Sequence, residues 1–133
     1  MKWIVAYLCA AIVFGVLDAM WLQWAGPNLY RPMIGEIMAD NFNITAAGFF
    51  YLIYIAGIVW FAIRPGLENG QVTTTLLNGV LLGGLCYATF DLTGQAVFKV
   101  WETKMTIIDI TWGMFATGTA AATATLATRR LSN

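Results

Sequence analysis

The chain has 133 residues, 59% of them hydrophobic and only 11% charged, with seven basic and seven acidic side chains and a net charge of zero. A soluble domain carries about 25% charged residues, so these values describe an integral membrane protein and leave no basic surface for nucleic acid. Histidine is absent, which removes His-ligated haem, His-based zinc sites and any His-based triad.

The first apolar run extends from about Trp3 to Trp24. It follows Lys2 as a signal peptide would, but it is longer than a signal's apolar region and no small-x-small cleavage pattern follows it. It reads as an uncleaved span of near the 20 residues that a bilayer needs. Gly26-Pro27-Asn28 is expected to end it, because proline cannot continue a helix and Gly and Asn accept turn geometry. Residues 29–43 form the longest loop, and Met33 to Met38 suit a short helix lying in the interface.

The second span is expected over 44–63, with Arg64-Pro65-Gly66 as its stop. The third runs over 72–98, long enough to tilt. The fourth runs over 105–127 and ends in Ala, Thr and Gly, a small-residue face suited to close helix packing. The predicted fold is an all-α membrane protein: one integral membrane domain, a four-transmembrane-helix bundle with both termini on one side. With the N-terminus inside, Lys2, Arg64, Arg129 and Arg130 face Arg31, Lys99 and Lys104 across the membrane. That basic excess places both termini in the cytoplasm. Cys9 and Cys86 fall in apolar segments without metal-ligand spacing, so neither a metal nor a cofactor is expected.

Three carboxylates sit within apolar segments: Asp18, Asp91 and Asp109. Each costs roughly 2.5–3.5 kcal/mol at a span centre, which makes an intramembrane aspartate a candidate functional residue. Asp18 lies six residues before Trp24, Asp91 eight before Lys99 and Asp109 five after Lys104. At about 1.5 Å per residue, all three lie on the order of 7–12 Å below the same face. On the third span Gly79, Gly83, Tyr87, Asp91, Gln95 and Lys99 recur every four residues. On the fourth, Asp109, Gly113, Thr117, Ala121 and Thr125 do the same. Two such ridges can form a close seam below a polar pocket, with Asp91 as the middle of three carboxylates.

Trp21 follows Asp18, and Trp112 follows Asp109, at i,i+3, so indole and carboxylate share a face in each pair. Three neighbouring carboxylates cannot all be ionised without protons or counter-charge, and Lys99, Lys104 and Arg31 can snorkel to the pocket mouth. Each feature also has a structural reading. Membrane Asp, Thr and Gln often only bridge helices, tryptophans belong to interfacial belts, and Gly-x-x-x-Gly is usually packing.

The segments Leu17-Asp18-Ala-Met-Trp21-Leu22, Tyr30-Arg31-Pro32, Tyr87-Ala-Thr-Phe-Asp91-Leu-Thr93 and Asp109-Ile-Thr-Trp112-Gly113 resemble, in order and spacing, small bacterial membrane proteins grouped as domain of unknown function 2177. The resemblance covers nearly the whole chain. It implies four spans in a bacterial inner membrane and marks Asp18, Trp21, Tyr87, Asp91, Thr93, Asp109 and Trp112, without an activity. Together with Gln95, these residues are the candidate ligand-binding set. The expected ligand is a proton, a small cation or a lipid head group, and the expected partners are the bilayer and a second copy or another membrane protein. A lipid-modifying enzyme with paired carboxylates as acid and base, or an accessory subunit whose aspartates join helices, are the alternatives. No nucleophile stands out, Ser132 being the one serine.

Overall fold

The computed structural model describes residues 1–41 and 43–131; Ser132 lies outside them. Helix α1 spans Lys2–Ala25 and runs on through a π-helical turn, Gly26–Tyr30, into α2, Arg31–Ile34, and a 3-10 turn, Gly35–Ile37. Helix α3 spans Ile44–Ile58 and runs on through a second π-helical turn, Val59–Ile63, into α4, Arg64–Asn69. Helices α5, Val72–Val97, and α6, Thr103–Leu131, complete the four spans. Three of these rods, Lys2–Ile37, Ile44–Asn69 and Val72–Val97, are long and apolar enough to cross a membrane by composition alone.

Two expected stops are overturned. Gly26-Pro27-Asn28 does not end the first helix, and Arg64-Pro65-Gly66 does not end the second. The cause is the same at both places. A five-residue π turn, closed by Arg31 N–H to the Gly26 carbonyl and by Arg64 N–H to the Val59 carbonyl, precedes Arg31-Pro32 and Arg64-Pro65. A widened turn shifts the ladder by one residue, which relieves the clash of the proline ring with the preceding turn. The carbonyl freed four residues before Pro65 belongs to Phe61, and the Asn78 side chain of α5 donates to it at 3.1 Å. Met33 to Met38 is therefore no separate interfacial helix but largely the end of the first rod. The true end of the second rod is Gly70, whose φ of +74° is a left-handed cap. Asn43 caps the start of α3 by accepting from Ala46 N–H at 3.0 Å.

Helix α6 is the inner strut, packed against α5 along its length and against α1. Its buried face is small and polar: Asp109, Gly113, Ala116, Thr117, Ala120, Ala121, Ala124 and Thr125. Such a helix is too polar to meet lipid on all sides but suits close contact with other helices. The seam with α5 follows the two expected ridges. A Cβ on Gly83 would lie 2.2 Å from the Gly113 carbonyl oxygen, and one on Gly79 would lie 3.0 Å from Gly118 Cα. Thr75 and Thr125 join the seam's far end, Oγ1 to Oγ1 at 3.1 Å. On α1 the ridge Ala6, Ala10, Phe14 and Asp18 is buried, while Ile4, Leu8, Ile12, Val16, Met20 and Trp24 face outward as a lipid-facing stripe.

The second rod is splayed. Its 59–69 half packs on α5, whereas α3 packs on α1 and reaches α6 through a hydrogen bond between the Tyr54 and Thr117 hydroxyls at 2.7 Å, with little contact to α5. That gap, at the end where Asp18 and Asp109 lie, leaves room for a cavity.

Candidate functional site

Asp18, Asp91 and Asp109 are all buried, at 8%, 0% and 2% exposure. The seam brings α5 and α6 close enough for Asp91 and Asp109 to face each other, and α1 brings Asp18 near enough to Asp109 for their charges to interact. The middle carboxylate is Asp109, not Asp91 as the ridge pattern predicts. The ridge gives Asp91 its depth, but α6 is the helix shared by both neighbours.

Each cavity-facing carboxylate is held by a tyrosine from a rod other than its own. The Tyr51 hydroxyl of α3 donates to Asp18 Oδ2. The Tyr30 hydroxyl, at the end of the first π turn, donates to Asp109 Oδ1. Tyr30 also accepts from Trp21 Nε1 at 2.9 Å. Trp21 in turn stacks on Trp112 with ring centres 4.7 Å apart and planes 6° from parallel. The π turn thus places Tyr30 over Asp109, where its hydroxyl links the indole of α1 to the carboxylate of α6.

Asp91 differs from the other two. It is fully buried, and neither carboxylate oxygen has a hydrogen-bond partner among the described residues. The buried Trp112 Nε1 also lacks one among the described residues. The expected cations do not reach the aspartates: Arg31, Lys99 and Lys104 are exposed. Among the described residues the one ion pair is Arg64 with Glu68, at 2.9 Å. The cluster therefore carries no cation of its own.

Asp18, Trp21, Tyr30, Tyr87 and Asp109 line a cavity of about 430 Å³, completed by Leu22, Ile34, Met38, Phe50, Cys86 and Phe90. A volume of that size holds a small ligand. Tyr87 packs over Gly113, where a Cβ would lie 2.2 Å from its ring. Its environment contains Asp18 and Asp109.

Of the eight residues expected to form the site, Asp18, Trp21, Tyr87 and Asp109 line this cavity, while Asp91 is buried outside its lining and Trp112 stacks on Trp21. Thr93 and Gln95 lie elsewhere. Thr93 is exposed and its hydroxyl donates to the Thr89 carbonyl of its own helix. Gln95 bridges the α5–α6 turn, donating to Thr103 Oγ1 and accepting from Thr106 Oγ1, each at 2.7 Å. At the end of α5 that turn is nearer than the cavity.

The family profile described as Predicted membrane protein (DUF2177) matches residues 3–126. The chain belongs to that family. Neither curated proteins nor solved structures give a match. The DUF2177 description carries no reaction or ligand, so for this member of the family chemical meaning rests on the residues themselves. Tyr30 and Tyr51 were the strongest signals passed over as site residues. Tyr30 stands in one of the family-like segments beside Arg31-Pro32, and Tyr51 is among the few polar-edged residues of an uncharged span.

Proposed function

We propose that this DUF2177 member binds a small organic cation, or the cationic head group of a larger molecule, in the cavity between its four spans. One observation carries the reading. Two buried carboxylates, Asp18 and Asp109, line a cavity of about 430 Å³ and have no cationic side chain paired with them among the described residues. A carboxylate in a low-dielectric site needs a counter-charge or a proton. Tyr30 and Tyr51 each donate to one oxygen of one carboxylate but bring no positive charge. Trp21, Tyr87, Phe50 and Phe90 supply aromatic walls of the kind that attract cations. Asp91 beside Asp109 suits a proton held between the two. We place the protein in a bacterial inner membrane with both termini in the cytoplasm and the cavity nearer the outer face, following the basic-residue bias.

The test is tryptophan fluorescence of the detergent-solubilised protein, titrated with propylammonium and tetramethylammonium at millimolar concentrations. A saturable change is expected, because Trp21 lines the cavity and stacks on Trp112, and Asp109→Asn should abolish it. No saturable change with either cation would overturn the reading.

A further inference from the structure

The walls of the cavity differ in what lies beyond them. On the side of the nearer membrane face it is covered by an apolar cluster of Ala25, Leu29, Ile34 and Met105, with Trp21, Tyr30, Met33, Met38 and Trp101 packed around it. That cap is held down by the Trp21–Tyr30–Asp109 chain of hydrogen bonds. Toward α3 and α5 the cavity is edged instead by Phe50 and Phe90, which are 48% and 57% exposed. These are the two helices that stand apart at this level. Phe50 lies six residues into α3 and Phe90 one residue before Asp91. At about 1.5 Å per residue, both fall roughly 10 Å inside the apolar layer, whose thickness is about 30 Å. The gap between α3 and α5 therefore faces hydrocarbon, and the capped side faces water.

The volume points the same way. An ammonium group is about the size of a water molecule, whose share of liquid is about 30 Å³. A cavity of about 430 Å³ exceeds that many times over. Beyond the carboxylates its lining is Leu22, Ile34, Met38, Phe50 and Phe90, which suits an apolar chain. At the polar end, the carboxylates of Asp18 and Asp109 match the several N–H donors of a primary ammonium.

We infer that the ligand is a single-chain amphiphile with a primary ammonium head, entering sideways from the bilayer between α3 and α5. The inference rests on the cation-binding reading above and narrows it to a membrane-dissolved ligand. The head lies between Asp18 and Asp109, and the chain leaves past Phe50 and Phe90.

Cys86 lines the cavity and provides the readout. A Cys9→Ala variant in nanodiscs of zwitterionic lipid is treated with a membrane-permeant maleimide, and the alkylation rate of Cys86 is followed. Dodecylammonium, dodecanol and propylammonium are added in turn. Dodecylammonium is expected to half-protect Cys86 at a concentration at least about tenfold below dodecanol, which lacks the charge-assisted hydrogen bonds. It should also act at least about tenfold below propylammonium, which lacks nine methylenes. Equal protection by propylammonium would overturn the amphiphile while leaving a cation pocket. Equal protection by dodecanol would overturn both, and so would the failure of all three. An Asp18→Asn, Asp109→Asn double variant that still elutes as a folded protein should lose the preference for dodecylammonium over dodecanol, and keeping it would overturn the placement of the head.

Discussion

The hydroxyl of Tyr51 donates to the carboxylate of Asp18, tying the second span to the first at the depth of the cavity. The splayed α3 is otherwise attached at that level by packing on α1 and by the hydrogen bond of Tyr54 to Thr117 of α6. The bond also ends on a buried group, so its loss strands an acceptor rather than exposing it to water. Hydrogen bonds between spans average about 0.6 kcal/mol, whereas removing the donor to a buried charged group costs about 1–3 kcal/mol. Tyr51→Phe is expected in the upper range. Thermal or SDS unfolding of the purified protein measures it, with Asp18→Asn and the double variant closing a cycle. A cycle with no coupling between the two positions would show that the bond contributes nothing.

The α5–α6 seam gives a contrast between glycines that are alike in sequence. A Cβ on Gly83 would sit 2.2 Å from a backbone carbonyl on α6, and no rotamer change removes a backbone atom. Gly83→Ala must push the helices apart, at about 1–3 kcal/mol or more, and should enlarge the spacing between Asp91 and Asp109. Gly15 on α1 has nothing within 4 Å of its would-be Cβ. Gly15→Ala should therefore be neutral or stabilise by up to about 0.5–1 kcal/mol through helix propensity. The order of the two unfolding midpoints checks this, and a Gly83→Ala protein as stable as wild type would disprove the close approach.

The seam and the helical spans were legible because each follows from a local periodicity: apolar length and an every-four ridge. What was not legible depends on contacts between spans. Asp109 rather than Asp91 is central because α6 packs against both α1 and α5, a fact about tertiary order that no single helix records. Tyr51 points at Asp18 because of how α3 leans on α1, and an uncharged span offers no pattern to fix its rotation. The continuous first and second rods were missed for a different reason. Proline is a reliable breaker of an α ladder, but a π turn just ahead of it shifts the ladder, and Gly26–Tyr30 and Val59–Ile63 carry no composition that announces one.

The second π turn makes its own prediction. Pro65 cannot donate to the Phe61 carbonyl, and Asn78 does so instead, from a neighbouring helix in an apolar surrounding. Asn78→Ala leaves that carbonyl without a donor and should cost about 1–3 kcal/mol. In a Pro65→Ala background the restored backbone N–H can reach the same carbonyl, so the loss should shrink to less than about 1 kcal/mol. Equal losses in the two backgrounds, measured by SDS unfolding, would mean that Asn78 is not compensating for the proline.

Asp91 separates a structural role from a functional one. A carboxylate kept for stability has donors around it, as Asp18 and Asp109 do. Asp91 is fully buried, has no hydrogen-bond partner among the described residues and faces another carboxylate. Burial acts against such a group, and so does like charge whenever the proton between the two carboxylates is lost. Asp91→Asn removes the ionisable group at nearly constant volume and adds two N–H donors beside Asp109. The variant is expected to be at least as stable as wild type, by about 0–2 kcal/mol, the usual sign where a site is kept for function at the expense of stability. It should also change the pH profile of cation binding. Binding by the wild type should weaken as pH falls, because protons compete for the same carboxylates, and in Asp91→Asn the competing proton between Asp91 and Asp109 is no longer available. A flatter profile in the variant, read from tryptophan fluorescence titrations across the pH range, is the expected result. A variant less stable than wild type by more than about 1 kcal/mol, a loss typical of a broken hydrogen bond, would instead make Asp91 a helix-joining residue.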